Sequence, residues 1–196
     1  MLSSEDVKKI DDVFSFWFDG DQQVNYRTKW FPEGNSEIQF AADNEIQNRF
    51  GSYLADAVDR KLDYLENTSR SCVALIVILD QFSRHIYRLK KLPPDATERT
   101  ATDSLALQLS KRFHSNPITT LTLPMAEYVF SLMPMRHTAT VEHLSFILHN
   151  LKEKESAESK AMELLNKFRK QTVRRLQHLQ DREKVSCLEI SVTVVT

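Results

Sequence analysis

The sequence predicts an all-α fold of antiparallel helix pairs, six to eight in helix count, packed as a helical-repeat-like array or a compact bundle. Three observations predict it. Apolar residues recur at three- and four-residue steps along most of the 196-residue chain. Capping residues and prolines punctuate those stretches at helix-length intervals. Only three glycines occur, Gly20, Gly34 and Gly51, too few for a barrel or sandwich full of tight turns or for a glycine-rich nucleotide cradle. Apolar residues make up 41% and charged residues 27%, a balance that folds rather than stays disordered.

The first helix runs from Ser3 to about Phe18. Ser3 with Asp6 reads as a capping box, and Val7, Ile10, Val13, Phe14 and Trp17 follow at helical spacing. Gly20 and Asp21 end it. Asp21 to Asn35 reads as a loop anchored by Trp30-Phe31-Pro32. Ser36 caps a second helix with the stripe Ile38, Ala42, Ile46 and Phe50, and Gly51 breaks or bends it before Tyr53, Leu54 and Val58. Thr68 and its neighbours cap a third, about Ser69 to Tyr87. Its run Cys72 to Leu79 is apolar nearly all round, which suits the centre of a fold. A buried strand has the same pattern, but no neighbouring strand signal accompanies it, and the continuation DQFSRHIYR suits a helix.

Pro93-Pro94 stop this unit. Asp95 to Phe113 is amphipathic, with Ala101, Leu105 and Leu109 on one face. Asn116-Pro117 is a turn. Pro124 opens a helix over Met125 to Met133, and Pro134 ends it. Thr138 or Thr140 starts the next, with Val141, Leu144, Ile147, Leu148 and Leu151. Lys152 to Lys160 is a charged turn or a solvated helix start. The last helix reaches about Lys184 with the heptad-like stripe Ala161, Leu164, Leu165, Phe168, Thr172, Leu176 and Leu179. The β-branched tail Val185 to Thr196 does not read as helix. The expected organisation is one helical domain over 1–184 and a tail over 185–196.

The exclusions are as informative. A net charge of -1 creates no global field for nucleic acid or acidic membranes. Cys72 and Cys187 make no disulfide framework. The N-terminus has no signal-peptide pattern, and the longest apolar run is too short to span a bilayer. A soluble cytoplasmic protein with no cofactor and no metal site is expected.

Phe16-Trp17-Phe18, Lys29-Trp30-Phe31, LDQFSRHIYR over Leu79 to Arg88, and Leu132-Met133-Pro134-Met135-Arg136-His137 occur in that order. Together they resemble the DUF924 family, a group named for its unknown function. The family motif is close to LDQFPRNIYR; Asp80, Gln81, Phe82, Arg84, Ile86, Tyr87 and Arg88 match it, whereas Ser83 and His85 depart. The resemblance covers roughly residues 10 to 180. It implies an all-helical fold similar to tetratricopeptide repeat domains and supplies no activity. Many bacterial members have a Pro-x-Glu-His-Ser-like segment where this chain reads Pro134-Met135-Arg136-His137-Thr138. Their ending, similar to RFGRFPHRN, is replaced by FRKQTVRRLQHLQD over Phe168 to Asp181.

Asp80, Arg84, Tyr87 and Arg88 fall at i, i+4, i+7 and i+8, one helix face, with Gln81 beside them. Two readings compete. In the scaffold reading Asp80 pairs Arg84 and Arg88 caps a neighbouring helix end. In the binding reading Arg84 and Arg88 fork around a carboxylate or phosphate. His137 is a general base, oriented by Glu127, Glu142 or Asp80, or a helix-terminal cation. Trp30-Phe31 is a ligand-stacking wall or a plug at the end of the bundle. Cys72 reads as an inert core thiol. Glu142, His143 and His149 lack a metal spacing. The basic stretch Lys167 to Lys184 reads as a solvated face, so nucleic acid is not the expected partner.

The resulting expectation is a protein- or peptide-interaction module whose groove is lined by the Trp30 loop, the Asp80 to Arg88 face and the His137 turn. The alternative is a small-anion-binding protein or an enzyme that uses the Asp80 to Arg88 face with His137. Catalytic residues and oligomeric state stay open at this level.

Overall fold

Ser3 and Asp6 open the first helix reciprocally: the Asp6 N–H donates to Ser3 Oγ at 3.2 Å and the Ser3 N–H donates to the Asp6 carboxylate at 2.8 Å. In the structure, a computed structural model, the described residues are 2–20, 22–30, 36–116, 120–157 and 162–193. Helix α1 (Ser4–Trp17) buries Ile10, Val13, Phe14, Phe16 and Trp17. Gly20, at φ +92°, turns the chain after it in a conformation that a side chain would strain.

Part of the expected loop is helical. Helix α2 (Gln22–Asn25) passes into a π-helical turn, Tyr26–Trp30. The Trp30 indole N–H donates to the Trp17 carbonyl at 3.0 Å, which satisfies an orphan acceptor at the end of α1. Phe31, Pro32 and Gly34 lie outside the described residues. Helix α3 (Ser36–Val58) runs through Gly51 without a break and buries Ala42, Asp43, Ile46, Phe50, Leu54 and Ala57.

After a 3₁₀ turn, Asp63–Asn67, Thr68 caps the next helix by accepting the Ser71 N–H at 3.3 Å. Helix α4 (Ser69–Ile76), a π-helical turn (Val77–Phe82) and helix α5 (Ser83–Leu89) form one uninterrupted rod. The fully apolar run is therefore helix, not strand, and it is buried as the sequence requires. Helix α6 (Thr97–Phe113) turns inward one residue away from the expected stripe: Thr102, Ala106, Leu109 and Ser110 are buried, whereas Ala101 is exposed. Thr102 reconciles this with its polarity, because its hydroxyl donates to the Glu98 carbonyl and accepts from the Tyr87 hydroxyl, both at 2.8 Å.

The chain forms two compact units, Met1–Thr122 and Leu123–Thr196. The core of the first is aromatic. Phe82 stacks on Phe50 at 4.5 Å between ring centroids and meets Trp17 edge-on at 5.4 Å, and Phe16 lies 5.1 Å from Phe50. The Phe16-Trp17 pair, α3 and the LDQF segment thus meet in one place.

The second unit holds helices α7 (Met125–Thr138), α8 (Val141–Ala157) and α9 (Met162–Thr193). Pro134 does not end α7. The helix continues through it to Thr138 and stops at Ala139, whose φ of +50° is left-handed. A proline removes one backbone donor, and burial of Phe130 to Met135 holds the helix together regardless. Thr140 caps α8 by accepting the His143 N–H at 3.1 Å. The charged stretch after Leu151 is helical as far as Ala157, and Lys154 within it is wholly buried, not solvated. Its ammonium donates to the Leu123 carbonyl at 2.6 Å and lies over the Tyr128 ring at 5.5 Å. Helix α9 continues beyond Lys184 into the β-branched segment as far as Thr193. β-Branched residues lower helix propensity by only roughly 0.5 kcal/mol each, and a helix already nucleated extends over them. Residues 158–161 and 194–196 lie outside the described residues. Among those described, uninterrupted runs of two turns or more make eight α-helical rods and no strand occurs.

Truncating the central ring tests the aromatic core. Phe82→Ala should cost about 3–5 kcal/mol in urea unfolding, the scale for a buried phenylalanine, whereas Val7→Ala, at an exposed position, should change stability by less than about 0.5 kcal/mol.

Candidate functional site

The rod α4–α5 puts the charged residues of LDQFSRHIYR at the middle of the first unit. Its π-helical turn moves the ladder by one residue: the Ser83 N–H reaches the Ile78 carbonyl, five residues back. The Ser83 hydroxyl back-bonds to the Leu79 carbonyl at 2.6 Å and to the Asp80 carbonyl at 3.2 Å. Ser83 is therefore a structural hydroxyl.

Asp80 is buried and accepts from the Gln81 side chain and from Arg84 Nη2 at 3.4 Å. The same Nη2 donates to Asp103 of α6 at 2.9 Å. One arginine thus bridges two carboxylates, and its Nε is buried with no partner among the described residues. Tyr87 also faces α6, through Thr102.

Arg88 turns the other way. Its Nη1 donates to Asp43 Oδ1 on α3 at 2.6 Å. His85 Nδ1 donates to the same oxygen at 2.7 Å, and the Gln39 amide at 2.8 Å. Burial works against the charge of Asp43, but the His85 hydrogen bond and the Arg88 guanidinium outweigh it and hold the carboxyl below the usual carboxylate range. Burial pushes His85 below the ordinary imidazole value against the pull of Asp43.

Asp80, Gln81, Arg84, Tyr87 and Arg88 are therefore joined to one rod but not to one fork. Arg84 serves α6 and Arg88 serves α3, each against a carboxylate. The Asp80–Arg84 pair of the scaffold reading is present. Arg88 meets a buried aspartate rather than a helix end. Trp30 is buried and holds the end of α1. His137 lies in the second unit, in the last turn of α7, where a cation complements the helix dipole. Glu127 sits in the first turn of that helix, ten residues or about 15 Å away along the axis, too far to orient it.

Cys72 is buried, and burial pushes its thiol up to about 12, as an inert core thiol requires. No group of three metal-ligating side chains is clustered among the described residues, and none of their helices is long and apolar enough to cross a membrane. Sequence reasoning missed Asp43, His85 and Asp103 as site members. The available signal was the four-residue step Gln39–Asp43 adjoining the apolar stripe, together with the departure at His85.

The fold and this charged rod define an all-helical protein built around a buried signature helix. The chain belongs to the family described as "Bacterial protein of unknown function (DUF924)", whose model matches residues 13–184. No curated protein matches the chain. A solved structure described as a protein of unknown function, ATU0120 from Agrobacterium tumefaciens, is similar at 21% identity over 83% of this chain and 81% of that one, with a TM-score of 0.58. At that identity the likeness shows the shared fold alone.

Removing Arg84 leaves Asp80 charged and buried, so Arg84→Ala should cost about 3 kcal/mol in denaturant unfolding. Arg88→Ala should cost clearly less, because Asp43 keeps its His85 and Gln39 donors.

Stability should also depend on pH. Burial lowers His85 and brings His114 down to about 4, so below pH 6.5 the unfolded chain binds protons that the folded one refuses. Each group then removes up to about 1.4 kcal/mol per pH unit as pH falls from its unfolded toward its folded value. Urea unfolding of His85→Asn should show a shallower slope just below pH 6.5 than wild type.

Proposed function

We propose that this chain is a protein- or peptide-interaction module, a tetratricopeptide-like helical domain of the cytoplasm. The observation that supports this is Phe40, which is 62% exposed on α3. Three residues further along the same helix, Asp43 is pinned by three hydrogen bonds. An aromatic ring is thereby offered to solvent from a helix that cannot easily reorient. Aromatic side chains carry much of the energy at recognition surfaces, because they bury a large area with few rotatable bonds.

A displayed random-peptide library selected against the full chain tests the reading. Selected peptides should bind wild type and weaken at least tenfold, roughly 1.4 kcal/mol, against Phe40→Asp, with the melting temperature of that variant unchanged. Failure to enrich any peptide, or peptides indifferent to Phe40→Asp, would overturn it.

A further inference from the structure

A cavity of about 440 Å³ opens within the first unit, between the start of α4 with its preceding 3₁₀ turn and the end of α6. That volume is ordinary for a small-molecule site. Its apolar wall is Cys72, Leu109 and Phe113. The first two are buried and the phenylalanine is half-buried, which offers a flat ligand an apolar surface. Its charged wall is Glu66 and Arg112, and these spend their charges on each other. Arg112 Nε and Nη2 donate to the two oxygens of the Glu66 carboxylate at 3.1 and 2.6 Å. No further charged side chain lines the space among the described residues. The two helix ends that meet here, the first turn of α4 and the last turn of α6, are opposite in sign and offset one another. The cavity is electrically balanced.

We propose that this cavity binds a small uncharged molecule made of a planar apolar ring and a primary carboxamide. The polar groups that line it are unspent in both senses. The Ser69 hydroxyl and the Asn116 carboxamide make no hydrogen bond among the described residues. Asn67 spends its amide nitrogen on the Tyr64 carbonyl at 2.7 Å, which leaves its oxygen to accept. A ligand carboxamide sets a donor and an acceptor side by side, and the Asn116 side chain complements both. A carboxylate ligand would bring a second negative charge beside Glu66, and an amidinium a second positive charge beside Arg112. Either ion would leave water without gaining a counter-charge, a larger cost than for an amide. The site does not depend on Phe40 and goes beyond the peptide-docking reading.

The experiment titrates the full ¹⁵N-labelled chain at pH 7.5 with benzamide, benzoate and benzamidine, three molecules of one shape that are neutral, anionic and cationic. The backbone amide signals of Ser69 and Asn116 report on the cavity. Benzamide should move both saturably, and benzoate and benzamidine should each bind at least about tenfold more weakly. Asn116 is exposed, so Asn116→Ala keeps the fold; it should weaken benzamide, read at Ser69, by at least about fivefold. No saturable movement with benzamide, binding of either ion as tight as that of benzamide, or an unchanged benzamide response in Asn116→Ala would each overturn the site. Phe40→Asp should leave the benzamide response intact, which separates failure of this site from failure of the peptide reading.

Discussion

A helix that is apolar on every side and then turns charged without a break imposes the main constraint on this protein. The rod from Ser69 to Leu89 lies inside the first unit, so Asp80, Gln81, Arg84, His85 and Tyr87 must find partners there rather than in water. An unpaired charge in such a place costs several kcal/mol. The neighbouring helices are built around that need. α3 places Asp43 within its own apolar stripe, and α6 turns Thr102 and Asp103 toward the rod. The π-helical turn at Val77–Phe82 rotates the helix C-terminal to it, and the charged side chains divide between the two flanking helices.

This division limits the chemistry the face can perform. Two arginines one turn apart make an anion fork only if both are free to converge. Arg84 is tied through Nη2 to Asp80 and Asp103, and Arg88 through Nη1 to Asp43 on another helix. The second unit meets a buried charge in the same way, with Lys154 closed over the Leu123 carbonyl and the Tyr128 ring. Most buried charge here orients helices.

The two departures from the family pattern fall where the rod is most constrained. Ser83 supplies a hydroxyl to carbonyls at the π-helical turn, where a proline would have no N–H to donate. His85 donates to Asp43 as an asparagine amide could, so the scaffold bond is compatible with either residue. The imidazole adds a second ring nitrogen that an asparagine lacks.

Much of the fold was legible in the chain. The capping box at Ser3 and Asp6, the caps at Thr68 and Thr140, and the apolar repeats of α1, α3 and α8 rest on contacts within one or two helical turns, which periodicity reports directly. Asp43 was not legible as a site residue: an aspartate beside an apolar stripe has the same local signature whether it faces water or a histidine 42 residues away. The one-residue rotation of α6, the passage of α7 through Pro134 and the burial of Lys154 were hidden for a related reason. Each is unfavourable by local propensity and is stabilised only by groups distant in sequence. Local spacing determined which segments are helices and which face of most is apolar. Tertiary packing alone decided which charges are buried and which partner each one meets, because burial sets the cost of leaving them unpaired.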